Sequence, residues 1–256
     1  MLLHYEEYGD RDAPLIVFIH GAGVSSWMWD KQLEYFTHYH CVTVDLPEQG
    51  ANLHHGEFSI EDSANKIIEL IHTFPNKNSV TVVGFSLGAQ VLIQVISKQA
   101  NLIDYAIINS ALVKPSKLGK LLIKPLIQLT FPLIKNRAFS RIQAKTLYIA
   151  EEDFERYYEE TSRMKQATLI RILEENMSFK IPDGFKKAGG KILVTVGEKE
   201  KAVMKKSAKA LLNAHDNCSA LVIADTGHAA PLSEPILFNQ LIESWINEER
   251  EDFDIK

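Results

Sequence analysis

The sequence predicts an α/β fold, a mostly parallel and doubly wound sheet carrying one helical insertion. Three observations predict it. Short runs rich in Val and Ile recur along the chain, helical patterns alternate with them, and one long stretch breaks the alternation. The strand-like runs lie at 15–19 (LIVFI), 41–45 (CVTVD), 79–83 (SVTVV), 104–109 (DYAIIN), 191–196 (KILVTV) and 219–224 (SALVIA). Several are apolar without alternation, as strands covered on both faces should be. Helical patterns fill about 60–73, 87–99, 203–213 and 235–248. Ser59 and Asp62 open the first of these as a capping box would, and Pro235 suits a first helical turn. Strand-helix alternation of this kind gives a parallel sheet with helices on both faces. The opening segment LLHYEEYG alternates and runs through DRDAP into the next strand, which predicts an antiparallel edge hairpin.

Residues 112–186 form the break. They hold interrupted helical patterns, no good strand, and prolines at 115, 125, 132 and 182. A structureless loop of that length would be unusual, so the stretch reads as a helical insertion on the sheet.

Bulk properties narrow the function. The chain has 256 residues of which 46% are hydrophobic, enough for one large core with an inserted subdomain. A net charge of −5 with 24% charged residues argues against nucleic acid as a partner. The N-terminal MLLHYEEYGDRDAP has no basic region followed by an apolar run, so no secretory signal is expected. The longest apolar region, 118–134, is broken by Lys120, Lys124, Pro125 and Pro132, and no membrane span is expected. Cys41 and Cys218 lack metal or redox spacing. A cytoplasmic protein with reduced thiols, no metal and no cofactor is the expectation.

The chemistry concentrates in Gly84-Phe85-Ser86-Leu87-Gly88, which joins a strand directly to a helix. Such a G-x-S-x-G turn is either a packing junction or a device that holds a serine above the sheet. In the second case the N–H of Leu87, at the helix N-terminus, could stabilise an oxyanion. A serine hydroxyl also needs a base, and a second oxyanion donor. His20-Gly21-Ala22-Gly23 follows another strand, and the N–H of Ala22 could be that donor. His20 reads as structural, because it ends a strand. His228, in a glycine-flanked loop after the last strand run, is free to reach Ser86 across the strand C-termini, where open α/β sheets bind ligands.

With these residues in view the chain resembles the α/β-hydrolase superfamily, specifically its lidded, carboxylesterase-like members. HGAG, SSWMWD, VTVDLPEQG, GFSLG, VGEKE and DTGHAAPLSEP occur in the family's order. The resemblance implies a core of residues 1–111 and 187–256 with a lid at 112–186. It implies Ser86 as nucleophile, His228 as base, the N–H groups of Leu87 and Ala22 as oxyanion hole, and Trp29 as a packing aromatic. Two departures stand out. Glu48 and Gln49 occupy the loop that commonly reads D-L-P-G-H-G, with Asp45 a structural turn residue. The triad acid, usually Asp three residues after the strand-end glycine, falls on Glu200, with Glu198, Asp225 and Asp104 as weaker rivals. Serine as nucleophile argues against dehalogenase and epoxide-hydrolase chemistry, which uses aspartate there. Ester hydrolysis is therefore the leading expectation, on a small-molecule substrate with an apolar acyl group. Relatives of the same pattern act as small-molecule receptors with slow hydrolysis, or as C–C hydrolases and lyases, and fold alone does not separate these.

The insertion adds a charge pattern. Lys114, Lys117, Lys120, Lys124, Lys135, Arg137, Arg141 and Lys145 occur without one acidic residue between 114 and 145. Leu118, Leu121, Leu122, Leu126 and Leu129 interleave with them. The plain expectation is amphipathic lid helices with a solvated basic face over an apolar pocket. A second reading is a docking surface for an acyl chain borne on an anionic carrier.

Overall fold

The computed structural model describes residues 2–54, 56–74 and 78–248. Seven strands form one sheet: β1 (Tyr5–Gly9), β2 (Leu15–Ile19), β3 (His40–Val44), β4 (Val80–Phe85), β5 (Tyr105–Asn109), β6 (Lys191–Gly197) and β7 (Cys218–Ile223). Their order is β1-β3-β2-β4-β5-β6-β7, with every neighbouring pair parallel except β1 with β3. The six strand-like runs read from sequence are all strands.

The first segment differs from its expectation. β1 is an antiparallel edge strand, but it makes no hairpin with β2. It pairs instead with β3, Tyr5 opposite Val44 and Gly9 opposite His40. β2 already has β3 on one side and β4 on the other, so its two edges are taken and the free edge belongs to β3.

The helices are α1 (Asp30–Tyr35), α2 (Ile60–His72), α3 (Leu87–Lys98), α4 (Lys117–Thr130), α5 (Arg137–Thr146), α6 (Phe154–Arg163), α7 (Gln166–Ser178), α8 (Ala202–Leu212), α9 (Ala230–Ser233) and α10 (Pro235–Ile246). Ser59 caps α2 by accepting the N–H of Asp62, as its sequence position predicts. Alternate residues of each strand enter opposite cores. Leu15, Val17 and Ile19 of β2 pack with α2 and α3 on one face. Ile16 and Phe18 pack with Trp29 and α10 on the other. Covering on both faces explains why these strands are apolar at every position.

Between β5 and β6 the chain makes four helices, α4 to α7, and no strand. α4 turns an unexpected side outward. Ile123 is buried and Ile127 half-buried, whereas Leu118, Leu121 and Leu129 are 68%, 73% and 78% exposed. The leucines that alternate with lysines therefore face solvent alongside them, and a narrower isoleucine stripe holds the helix down. Pro125 lies inside α4 without ending it. Among the described residues no helix is long and apolar enough to cross a membrane.

Candidate active site

β4 ends at Phe85 and α3 begins at Leu87, so Ser86 alone makes the turn. Its φ of 51° lies in the left-handed region, which a side-chain-bearing residue adopts only when its surroundings impose it. They do. The Ser86 N–H continues the ladder by donating to the Asn109 carbonyl, while the Ser86 carbonyl already accepts from Gln90 in α3. The two glycines permit the close approach this requires. A Cβ on Gly88 would stand 2.2 Å from the Ile19 carbonyl oxygen, and one on Gly84 would stand 2.6 Å from the Gly88 carbonyl oxygen. Strand and helix meet too tightly there for any side chain.

His228 lies in the loop between β7 and α9, and its Nε2 is 3.0 Å from Ser86 Oγ. Its Nδ1 is 2.7 Å from Glu200 Oε2, and Glu200 follows β6. The imidazole is 36% exposed and the carboxylate 3%. The other carboxylate oxygen accepts from the Ser110 hydroxyl and the Gly197 N–H. Burial alone would raise the Glu200 pKa, but the hydrogen bond and charge of His228, then Ser110 and Gly197, outweigh it and hold the pKa below its ordinary value. An ionised carboxylate fixes the Nδ1–H tautomer and leaves Nε2 as an acceptor facing a hydroxyl. Three groups so linked can move a proton off a serine.

Ser86, Glu200, His228 and the Ala22 loop all follow the C-terminal ends of parallel strands, at one edge of the sheet. A family model described as the alpha/beta hydrolase family matches residues 16–241 of this chain. The chain belongs to that family. A similar protein, the (E)-2-((N-methylformamido)methylene)succinate hydrolase of Acinetobacter baylyi, is 24% identical over 253 residues, 95% of this chain and 93% of that one. MenH from S. aureus superposes with a TM-score of 0.77 at 18% identity, covering 97% of this chain and 99% of its own. An esterase from Exiguobacterium antarcticum superposes at 0.81 with 17% identity, covering 96% and 95%. At such identities the two structures speak for the α/β-hydrolase fold alone.

In this family member the remaining sequence-derived candidates separate cleanly. Leu87 is the first residue of α3, so its N–H is one that a helix leaves without an internal partner. Ala22 sits half-buried in the loop after β2. His20 is fully buried, with Nδ1 against the Gly21 carbonyl and Nε2 accepting from Leu46, and burial lowers its pKa. It ties two loops together. Glu198 accepts from the Asp225 N–H, Asp225 pairs with Lys199, and Asp104 accepts from Val80 at the start of the sheet. None of the three contacts His228. Asp45 accepts from Ser26 and Ala51, as a structural turn residue would.

The two departures in DLPEQG have local causes. Glu48 accepts from Thr168 and two nitrogens of Arg171, all in α7, and from the Phe58 N–H. Gln49 Oε1 accepts from the Gly23 N–H and braces the loop that carries Ala22.

Sequence reasoning missed two residues. Glu160 of α6 accepts from Ser25 and Trp27, and burial raises its pKa. Tyr148 puts its hydroxyl against Gly227, where a Cβ would meet it at 2.2 Å. Gly227 beside His228 was a readable sign of close approach. For Glu160, inside the acidic run EEDFERYYEE, the sequence held no sign.

Proposed function

We propose that the protein is a serine hydrolase that cleaves carboxylic esters through an acyl-enzyme on Ser86. The hydrogen-bonded line from Ser86 Oγ through His228 to Glu200, hung on a turn with left-handed backbone at the serine, carries this reading. Ser86 Oγ attacks the ester carbonyl carbon while His228 Nε2 takes its proton. The oxyanion that forms is met by the N–H groups of Ala22 and Leu87. His228 returns the proton to the departing alkoxide as the C–O bond breaks. Water then gives a proton to the same nitrogen and attacks the acyl carbon, and His228 returns that proton to Ser86 Oγ as its bond to the acyl group breaks. Glu200 keeps the imidazole in the useful tautomer and stabilises its cation. No step needs a metal or cofactor.

Residues 112–186 serve as the lid in this reading, and residues 1–111 and 187–256 as the core. Glu160 on Ser25 and Trp27, and Arg171 on Glu48, tether the lid beside the loop of Ala22. The substrate is a small ester with an apolar acyl group. Cys41 and Cys218 are buried, unpaired and pushed up to about 12 by burial, which fits a reducing cytoplasm.

The test is covalent. A serine-directed fluorophosphonate should add one adduct to the protein and none to Ser86→Ala, read by intact mass. Turnover of short-chain p-nitrophenyl esters should fall about 10³-fold or more in that variant. Near-wild-type turnover would remove Ser86 from the mechanism.

A second reading stays in play because one relative is named for a succinate bearing an N-methylformamido group rather than for an ester. The same three groups would then open a bond other than an ester's, and ester turnover would be slow beside it. A receptor of the same fold would release one equivalent of p-nitrophenol and then stop.

A further inference from the structure

α4 carries an apolar face that nothing among the described residues covers. Leu118, Leu121, Leu122, Leu126 and Leu129 are each more than half exposed, and beyond the helix Leu133 and Ile142 are exposed as well. At about 100° per residue the five leucines fall on one side of α4, and Lys117, Lys120 and Lys124 fall on an adjoining side. Ile123 and Ile127 form the third side, which faces the protein. Monomeric proteins seldom leave so many large side chains together in water.

The surrounding charge identifies the occupant. The whole chain carries −5, yet residues 114–145 hold eight cations and no acid. Arg137 and Arg141 are spoken for, paired with Glu155 and Glu151 and lying over the Phe154 ring. Lys114, Lys117, Lys120, Lys124, Lys135 and Lys145 are exposed and pair with no carboxylate among the described residues. A second copy of this chain is a poor match, because joining two such faces sets lysines against lysines. The acidic charge of a carrier protein would answer the lysines, but charge by itself does nothing for the five exposed leucines. A bilayer with anionic headgroups answers both, taking the leucines into its acyl boundary and the lysines at its charged surface.

We propose that α4 docks this protein on anionic membrane surfaces, with its leucine face inserted. This is binding in the plane of the interface, and it holds whatever bond Ser86 attacks.

The experiment is co-sedimentation of the full chain with phosphatidylcholine vesicles, with and without 30% phosphatidylglycerol, at low and high salt. Binding should appear on the anionic vesicles at low salt. It should weaken about 10-fold or more toward 1 M salt, where the Debye length falls from about 10 Å to about 3 Å. Lys117→Glu with Lys124→Glu should weaken it about 10-fold or more, since each lysine near such a surface contributes several-fold. Leu121→Gln with Leu129→Gln should abolish it. Both pairs are exposed, so circular dichroism and fluorophosphonate labelling at Ser86 should stay unchanged. Failure of labelling with intact vesicle binding would sink the hydrolase reading and leave this one standing. Absence of binding to anionic vesicles overturns the proposal. So does leucine-independent binding, or a salt-sensitive complex with an acidic acyl carrier protein while vesicles remain unbound. A concentration-dependent dimer that the leucine variants dissolve, again without vesicle binding, would assign the face to a second copy.

Discussion

Glu200 shows how one methylene is absorbed at the scale of a residue. Its longer side chain still reaches His228 Nδ1, because Ser110 and the Gly197 N–H hold the other oxygen. That Glu200 rather than Glu198 meets His228 was legible only through the family's spacing, since Glu198 lies two residues away with the same chemistry. What separates them is direction: Glu200 Oε2 lies 2.7 Å from His228 Nδ1, whereas Glu198 accepts from the Asp225 N–H. Glu200→Gln should therefore keep the fold, as its amide oxygen can still accept from Ser110 and Gly197. Its NH₂ would face His228 Nδ1 and force the proton onto Nε2, where it blocks acceptance from Ser86. Ester turnover should drop on the order of 10³-fold, and Glu198→Gln should be nearly silent. The reverse pattern would move the acid by two positions. Stability should respond to acid as well. The folded pKa of Glu200 lies below its ordinary 4.5, so on acidification the unfolded chain takes the proton first. Stability that Glu200 contributes above pH 4.5 is lost as pH falls through the folded value. Urea denaturation between pH 6 and pH 3 should show a shallower loss for Glu200→Gln than for wild type.

At the scale of elements, the strands and the serine turn were legible because their causes are local. Continuous Val and Ile runs mean burial on both faces, and glycine on either side of a serine means close approach. The hairpin expected at the N-terminus failed because pairing is decided by which edge is open, and that depends on the order of all the strands. The leucines of α4 misled for a related reason. Periodicity shows that a helix has an apolar side, but not that the protein is what covers it. The turn offers a direct check. A methyl group on Gly88 would press on the Ile19 and His20 carbonyl oxygens, both backbone atoms that cannot swing aside. Gly88→Ala should cost roughly 1–3 kcal/mol by urea denaturation. It should also slow fluorophosphonate labelling of Ser86, because α3 can only retreat by moving the turn. Unchanged stability together with unchanged labelling would mean that the junction has slack and that its glycines are incidental.

Across the whole molecule, burial is distributed unevenly, and opening should follow it. α3 buries nine residues between β2, β4 and β5, while Ile123 is the one buried residue of α4. Pro125 weakens α4 further, since it has no N–H to offer the Leu121 carbonyl one turn earlier. α6 and α7 lie between these extremes. Phe154, Tyr157 and Thr161 are buried in α6, Thr168 and Ile172 in α7, and Glu160 and Arg171 bind core loops. Local opening free energies rise with buried apolar contact, so native-state hydrogen exchange should rank the helices. Amides of α4 should exchange first, those of α6 and α7 later, and those of α3 and the central strands only near global unfolding. Arg171→Met should shift α7 toward α4 without changing α3, because it removes the charged partner of Glu48 from one helix alone. A lid that moves needs such a gradient, with a sheet that keeps Ser86, His228 and Glu200 aligned while the covering helices open. Equal protection of α4 and α3 would mean that helices and sheet unfold as one unit. Substrate would then have to enter through a closed structure, and residues 112–186 would be a fixed wall of the site.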